Sequence, residues 1–226
     1  MNWYAWGAGG IVAPSTGWAF KMIAIYGMPD SGNCYKPRLL CALAGRPFRH
    51  VEVSTRDGGT ASPDFRAKTP IGKVPLLETE DGRFLPESNA MLTYLGEGTV
   101  FMPTDPFTRA EMFAWMFFEQ YSHEPNVAVR RSLTIYPELA EVASQARLAE
   151  TLEGGRKALD VMETRLSKAD WLAGEAPSLG DLCLYAYTHV APEGGFDLEA
   201  YPGILRWLKR IEGLSGYKPM DWLPRH

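Results

Sequence analysis

Residues 72–95 constrain the fold of this chain more than any other stretch of its sequence. Residues 74–77 form a short apolar run typical of a strand, and the turn signal at 80–82 leads to a second strand at 83–85. A helix then begins at 86–88, and its apolar residues recur at helical spacing. The stretch predicts a β-hairpin that runs directly into a helix.

Two positions in this stretch could bind a ligand in addition to shaping the fold. Pro75 stands at the start of a strand, where its missing N–H is tolerated. If the Val74–Pro75 bond is cis, the Val74 N–H and C=O are free to pair with an extended peptide. Glu87 and Ser88 open a helix, where free N–H groups and a hydroxyl favour a carboxylate and Glu87 can hold an ammonium.

Composition narrows the class of protein. The chain has 226 residues, of which 46% are hydrophobic and 22% charged, as in a globular protein of one large domain or two small ones. The net charge is −4 with no basic tail, which argues against a nucleic-acid partner. No run of 18 apolar residues occurs, so no membrane span is expected.

Cysteine and histidine usage argues against disulfides and metals. Three cysteines, Cys34, Cys41 and Cys183, do not make a disulfide framework in a chain of this length, and they fit a reducing, cytoplasmic location. The chain has no C-x-x-C motif and only four scattered histidines, so no metal site is expected.

The first part of the chain alternates strands and helices. Residues 1–21 carry Gly, Trp and Pro without a period and are predicted to be a poorly ordered extension. From residue 22 to 98 the patterns predict the order strand, helix, strand, helix, strand, strand, helix. That order is typical of a thioredoxin-like α/β domain with a four-stranded sheet of mixed direction. The first helix should hold Pro37 in its first turn and end at Gly45.

The second part reads as helix throughout. After a linker at residues 99–106, residues 107–226 form a predicted all-helical domain whose first helix is interrupted at Pro125. A long helical pattern follows, which the Gly154–Gly155 pair would kink or split. Ser178 and Asp181 have the spacing of a capping box, and we assign them to stability.

The Val-Pro pair, followed about a dozen residues later by Glu-Ser, resembles the glutathione site of the cytosolic glutathione S-transferases, and the Ser-x-x-Asp motif resembles a signature of their helical domain. The resemblance extends from residue 22 to the C-terminus and is closest to bacterial serine or omega-like types. It implies a thioredoxin-like βαβαββα domain, an all-helical domain, a homodimer, and glutathione as co-substrate held by Val74, Pro75, Glu87 and Ser88. Lys73 or Lys36 would reach the glycine carboxylate.

The same resemblance places Ser31 where the theta and zeta classes carry a catalytic serine, with Asn33 as a second catalytic candidate. The glutathione thiol has a pKa of about 8.5, like a free cysteine, and the thiolate is the nucleophile. Lowering that pKa by about two units requires roughly 2.7 kcal/mol. A charge-assisted hydrogen bond supplies about 1.5–3 kcal/mol and a helix N-terminus about 0.3–1 kcal/mol.

Other residues leave alternatives open. Cys34 lies in the first turn of the first helix, where a thiol pKa falls, so disulfide chemistry at Cys34 is an alternative. A hydrophobic electrophile would lie between the domains, against a stripe of aromatic residues at helical spacing. These residues are Phe113, Phe117 and Tyr121, and the same stripe is equally typical of a hydrophobic core. Arg130 and Arg131 are interpreted as solvated.

Three functions remain from this reasoning. The first is conjugation of the glutathione thiolate to a hydrophobic electrophile. The second is glutathione-dependent reduction of a disulfide or peroxide, through the bound thiol or through Cys34. The third is glutathione binding without catalysis.

Overall fold

A computed structural model of the chain describes residues 22–224. The predicted extension at residues 1–21 lies outside the described residues. The first unit has the predicted order of strands and helices, with boundaries that differ from the predictions by a residue or two. Its elements are β1 (Ala24–Gly27), α1 (Gly32–Leu43), β2 (Arg49–Glu52), α2 (Pro63–Lys68), β3 (Leu76–Glu78), β4 (Phe84–Pro86) and α3 (Ser88–Gly96), with a short 3₁₀ turn at Gly59–Ala61.

The four strands form one sheet in the order β2-β1-β3-β4. β1 pairs in parallel with β2 and antiparallel with β3, and β3 pairs antiparallel with β4. This mixed sheet confirms the predicted thioredoxin-like unit. β3 begins just after Pro75, since a proline cannot donate to the ladder. The arrangement places the end of β1, the start of β3 and the start of α3 close together.

Helix α1 begins earlier than predicted. Ser31 is its N-cap, and the Ser31 side chain accepts a hydrogen bond from the Cys34 backbone N–H. The prediction that Pro37 lies in the first turn was therefore wrong, because a helix that starts at Gly32 carries Pro37 in its second turn. The missing Pro37 N–H leaves the Asn33 carbonyl without its usual helical donor.

The second unit is all-helical, as predicted. Its elements are α4 (Pro106–Phe118), a π-helical segment (Glu119–Ala128), α5 (Val129–Ile135), α6 (Gln145–Leu166), α7 (Leu179–Thr188) and α8 (Pro202–Glu212), with short 3₁₀ turns at Pro137–Leu139, Ala191–Gly194 and Leu198–Ala200.

The interruption predicted at Pro125 does not occur. α4 continues into the π-helical segment, and Pro125 lies inside it. A proline ring collides with the carbonyl four residues earlier in an α-helix, whereas a π-helical turn bonds five residues back and widens the helix at that point. Within this segment the carboxylates of Glu119 and Glu124 are close enough to interact electrostatically.

The Gly154–Gly155 pair does not kink or split α6, which is continuous. A Cβ atom at Gly154 would lie 2.2 Å from Asn126 Oδ1, and one at Gly155 would lie 2.3 Å from the Phe196 ring. The two glycines therefore allow neighbouring elements to approach α6 closely.

Helix α7 forms the centre of the core, and all of its residues are buried. The predicted capping box is present at its start, where Ser178 and Asp181 bond each other's backbone N–H groups. Asp181 also accepts from the Trp207 indole N–H of α8 at 2.9 Å. The capping box thus joins two helices as well as ending one.

Three further observations concern residues 22–224 only. None of the helices there is both long and apolar enough to cross a membrane. Within the same range no group of three His, Cys, Asp or Glu side chains is placed to hold a metal ion. The three cysteines are buried and free.

Candidate functional site

A cleft of about 260 Å³ opens between the first unit and the π-helical segment. The predicted glutathione residues Val74, Pro75, Glu87, Ser88 and Lys73 all line it, together with Asn33, Ile71, Pro86, Gln120 and Glu124. The wall is mainly polar, as expected of a site for a charged peptide.

One side of the cleft is the chain before β3. The Val74–Pro75 peptide bond is cis, which is the geometry on which the peptide-pairing hypothesis depends. None of the hydrogen bonds found within residues 22–224 uses the Val74 N–H or C=O. This backbone is therefore free to pair with an extended ligand.

The other side is the start of α3. Glu87 is the N-cap of α3 and has a φ of +70°. This left-handed backbone conformation is energetically unfavourable for any residue that carries a Cβ atom. Such strain concentrates at functional sites. Ser88, the first helical residue, is buried, and its hydroxyl donates to Asn33 Oδ1 at 3.2 Å. The free N–H groups of α3 meet the cleft here.

Asn33 links three elements at the floor of the cleft. It accepts from Ser88 of α3 and donates through Nδ2 to Glu124 Oε1 of the π-helical segment at 3.3 Å. Burial, followed by the nearby Glu119 carboxylate, raises the pKa of Glu124. Asn33 therefore connects Ser88, at the start of α3, to the N-terminus of α1.

Ser31 lies two residues before Asn33 and is the N-cap of α1. Its Oγ accepts from the Cys34 backbone N–H at 3.4 Å, so the hydroxyl proton remains available for another acceptor. Ser31 is half-buried and does not line the polar cleft itself.

Lys36 does not reach the cleft, so the hypothesis that it binds the glycine carboxylate was wrong. Its ammonium is fully buried and pairs with the fully buried Glu119 carboxylate at 2.8 Å. It also donates to Ser88 Oγ at 3.3 Å and to Asn89 Oδ1 at 3.2 Å. Lys36 therefore supports the start of α3 from behind and joins α1 to the π-helical segment.

The Cys34 thiol is buried at the N-terminus of α1, which disfavours direct attack on a substrate disulfide. The side chain is fully buried, its Sγ accepts from the Met28 backbone N–H at 3.4 Å, and burial raises the pKa of Cys34. The prediction that this pKa falls was wrong, since desolvation of the thiolate outweighs the hydrogen bonds that would stabilise it.

The interpretation of Arg130 and Arg131 as solvated side chains was also wrong. Arg131 is buried, pairs with Glu193 at 2.7 Å and donates to the Asp30 carbonyl at 3.0 Å. Arg130 donates to the Gly194 carbonyl at 2.5 Å. Both side chains hold the helical unit together, and Arg131 anchors the loop that precedes Ser31.

Phe113 and Phe117 of the predicted aromatic stripe line a separate groove, whereas Tyr121 does not. Phe113 and Phe117 stack with ring centroids 6.5 Å apart on a groove of about 310 Å³ between α3 and α4. Phe117 is 71% exposed and Tyr121 is 88% exposed, so neither belongs to the core. Glu87 and Gln120 line both this groove and the polar cleft, so the two adjoin.

Sequence reasoning missed several residues of the site. Gln120 and Glu124 line the cleft, and Tyr187 of α7 packs on Gly32 at the N-terminus of α1. The only signal in the sequence was the glycine between Ser31 and Asn33, which permits a close approach. The approaching residue could not be identified without the tertiary structure.

Comparisons with known proteins agree with this geometry. Two family models match the chain, "Glutathione S-transferase, N-terminal domain" over residues 25–98 and "Glutathione S-transferase, C-terminal domain" over residues 110–214. Together they cover well over half of the sequence.

Individual relatives point the same way. A glutathione S-transferase from Pseudomonas fluorescens Pf-5, known from a crystal structure, has 46% sequence identity to this chain and a TM-score of 0.85. The match covers 88% of this chain and 98% of that chain. A glutathione S-transferase-like protein from a Fusarium species is 30% identical over 83% of this chain and 88% of its own length. A disulfide-bond oxidoreductase from Escherichia coli (strain K12) is 27% identical over 84% of this chain and 90% of its own length.

Proposed function

Because the chain belongs to the glutathione S-transferase family, we propose that it binds glutathione in the polar cleft and adds the thiolate to a hydrophobic electrophile. One observation carries the proposal. A free backbone edge at the cis Val74–Pro75 bond faces the strained Glu87 and the hydroxyl of Ser88 across a single cleft. An edge for a peptide and a helix start for an amino-acid head group fit one short peptide.

The binding roles follow from the chemistry of each wall. Val74 pairs with the ligand backbone, as a neighbouring strand would. Ser88 and the N-terminus of α3 hold the α-carboxylate, and Glu87 holds the ammonium. Lys73, which also lines the cleft, takes the carboxylate at the other end of the tripeptide. Each charged group of the tripeptide thus has a binding partner in the cleft.

The thiol would lie beyond Asn33, at the N-terminus of α1. Ser31 donates its hydroxyl proton to the sulfur, and the free N–H groups of α1 add their dipole. A charge-assisted hydrogen bond of about 1.5–3 kcal/mol corresponds to about one to two pKa units. The proton lost by the thiol leaves to solvent. The resulting thiolate forms a C–S bond with the electrophile, and at a chlorinated nitroaromatic the C–Cl bond breaks and chloride leaves to solvent.

Replacement of Ser31 with alanine is expected to raise the pKa of the bound thiol by about one to two units, since the donor to the thiolate is lost. At neutral pH the rate of conjugation should then fall about 10- to 100-fold in kcat/KM. The measurement is conjugation of a chlorinated nitroaromatic across a pH series. Ser144→Ala is the matched control, because Ser144 also caps a helix, accepting from the Arg147 backbone N–H, but lies at the start of α6.

A second candidate reaction is reduction of a disulfide by the bound thiol, which the Escherichia coli relative favours. Burial of Cys34 supports a route through glutathione itself rather than through a protein thiol. Disulfide reduction that is lost in Ser31→Ala, with no conjugation in the parent protein, would favour this reaction. Binding of glutathione without either reaction would favour a purely binding role.

The remaining predictions concern partners and location. We propose that the electrophile lies near the aromatic residues Phe113, Phe117 and Tyr121 beside the cleft, and that the protein is a homodimer. Sedimentation at several concentrations tests the dimer. The cytoplasmic location stays a prediction from cysteine usage.

A further inference from the structure

The buried ammonium of Lys36 is hydrogen-bonded to a residue that lines the polar cleft, although Lys36 itself is fully buried. Among residues 22–224, Lys36 Nζ has three acceptors: Glu119 Oε1 at 2.8 Å, Asn89 Oδ1 at 3.2 Å and Ser88 Oγ at 3.3 Å. An ammonium carries three protons, so these acceptors use all of them. Of the three acceptor residues, Ser88 lines the cleft.

The hydrogen bond from Lys36 fixes the direction in which the Ser88 hydroxyl donates. Because an ammonium is a donor only, Ser88 Oγ accepts from it and the Ser88 proton points elsewhere. That proton is donated to Asn33 Oδ1 at 3.2 Å, and Asn33 Nδ2 donates in turn to Glu124 Oε1 at 3.3 Å. A directed chain of hydrogen bonds therefore runs from the buried ammonium to a carboxylate that lines the cleft. Successive hydrogen bonds of this kind strengthen one another away from water.

The Lys36–Glu119 ion pair is held in one orientation relative to Ser88. Asn89 Nδ2 donates to Glu119 Oε2 at 3.1 Å, and Asn89 Oδ1 accepts from Lys36, so the three side chains close a ring of hydrogen bonds. The positive member of the pair bonds the Ser88 hydroxyl at the start of α3, where the helix dipole also places positive charge. Because the pair is buried, salt in the solvent screens it only weakly.

We propose that Lys36 is a positioning residue for the ligand's α-carboxylate, because it directs the Ser88 proton away from the interior and makes the hydroxyl a stronger donor. This inference rests on the proposed function, in which Ser88 and the N-terminus of α3 hold that carboxylate. The acceptor of the Ser88 proton in this structure is the neutral amide oxygen of Asn33, which is a weaker acceptor than a carboxylate. A carboxylate that reaches Ser88 therefore replaces Asn33, and Lys36 acts without touching the ligand.

The preference between two ligands tests this inference. The second ligand is a glutathione analogue with 4-aminobutanoyl in place of the γ-glutamyl group, which removes the α-carboxylate and keeps the ammonium. The parent protein should bind glutathione at least about tenfold more tightly than the analogue, because a charge-assisted hydrogen bond is lost with the carboxylate. Isothermal titration calorimetry measures both affinities.

The test variant is Lys36→Met combined with Glu119→Leu, which leaves no unpaired charge in the interior. We expect it to reduce the preference for glutathione about three- to tenfold, since the Ser88 hydroxyl is no longer directed or polarised. A purely structural role for Lys36 would weaken both ligands alike. A parent preference that persists in this variant therefore overturns the inference and leaves the proposed function intact, whereas a parent protein with no preference contradicts the proposed function itself.

Ser88→Ala shows whether Lys36 acts through Ser88. In that background the double substitution at Lys36 and Glu119 should change the preference by less than about twofold. An equal reduction with and without the Ser88 hydroxyl would overturn the inference. The matched control is Arg131→Met with Glu193→Leu, since that pair lies 2.7 Å apart and its hydrogen bonds within residues 22–224 do not involve Ser88. A loss of preference in the control as large as in the test variant would also overturn the inference.

A measurement on the parent protein guards against a test variant that does not fold. In protein labelled with ¹⁵N-lysine, the ammonium signal of Lys36 should shift on saturation with glutathione, because its acceptor Ser88 Oγ then donates to a carboxylate. Saturation with the analogue should produce a much smaller shift. Equal shifts with the two ligands, or no shift with glutathione, would contradict the inference.

Discussion

Replacement of Lys36 with methionine is expected to lower the free energy of unfolding by about 3–5 kcal/mol. The Lys36 ammonium and the Glu119 carboxylate are both fully buried and lie 2.8 Å apart. Methionine has nearly the same volume as lysine, so the loss of stability comes from the unpaired Glu119 charge in the interior and not from a cavity. The hydrogen bond from Asn89 to Glu119 Oε2 at 3.1 Å offsets only part of that loss. Denaturant unfolding followed by circular dichroism measures the change.

The double variant Lys36→Met with Glu119→Leu separates this mechanism from a packing defect. Replacing both members of a buried ion pair with apolar side chains is often neutral or stabilising, so the double variant should recover most of the lost stability. A Lys36→Met variant within about 1 kcal/mol of the parent would contradict the assignment of a buried ion pair.

Replacement of Asp181 with alanine is expected to destabilise the protein by a similar amount, about 3–5 kcal/mol. The buried Asp181 carboxylate accepts from the Leu172 N–H at 2.9 Å, from the Ser178 N–H and hydroxyl at 2.8 Å, and from the Trp207 indole. Alanine leaves these donors buried without an acceptor, and each costs about 1–3 kcal/mol, less than additively. The thermal midpoint and denaturant unfolding both report the change.

The control for Asp181 is another aspartate that caps a helix. Asp105 is exposed at the start of α4 and accepts from the Thr108 N–H at 2.8 Å. Water replaces that hydrogen bond in Asp105→Ala, so the loss should be only about 1 kcal/mol. Equal losses in the two variants would show that the network around Asp181 contributes no more than an ordinary cap.

The local parts of the fold were predictable from the sequence. Periodicity and turn residues fixed the order of strands and helices, and the spacing of Ser178 and Asp181 predicted the capping box. The groups that line the cleft at Val74 and Ser88 were also predictable, because strand starts and helix starts expose known backbone donors and acceptors.

The parts that depend on contacts between distant residues were not predictable. The sequence suggests that Lys36 reaches the ligand and that Arg131 is solvated, yet both are buried and each pairs with an acid on another element, Lys36 with Glu119 and Arg131 with Glu193. Pro125 reads as a helix break, because local propensity carries no sign of a π-helical turn. Burial reversed the expected direction of the Cys34 pKa in the same way.

A crystal structure of the protein with glutathione bound tests the proposed binding mode. We expect the tripeptide along the Val74–Pro75 edge, its γ-glutamyl group at Glu87 and Ser88, and its sulfur within hydrogen-bonding distance of Ser31 Oγ. Glutathione bound outside this cleft, or bound inside it with the sulfur away from the start of α1, would contradict the proposed function.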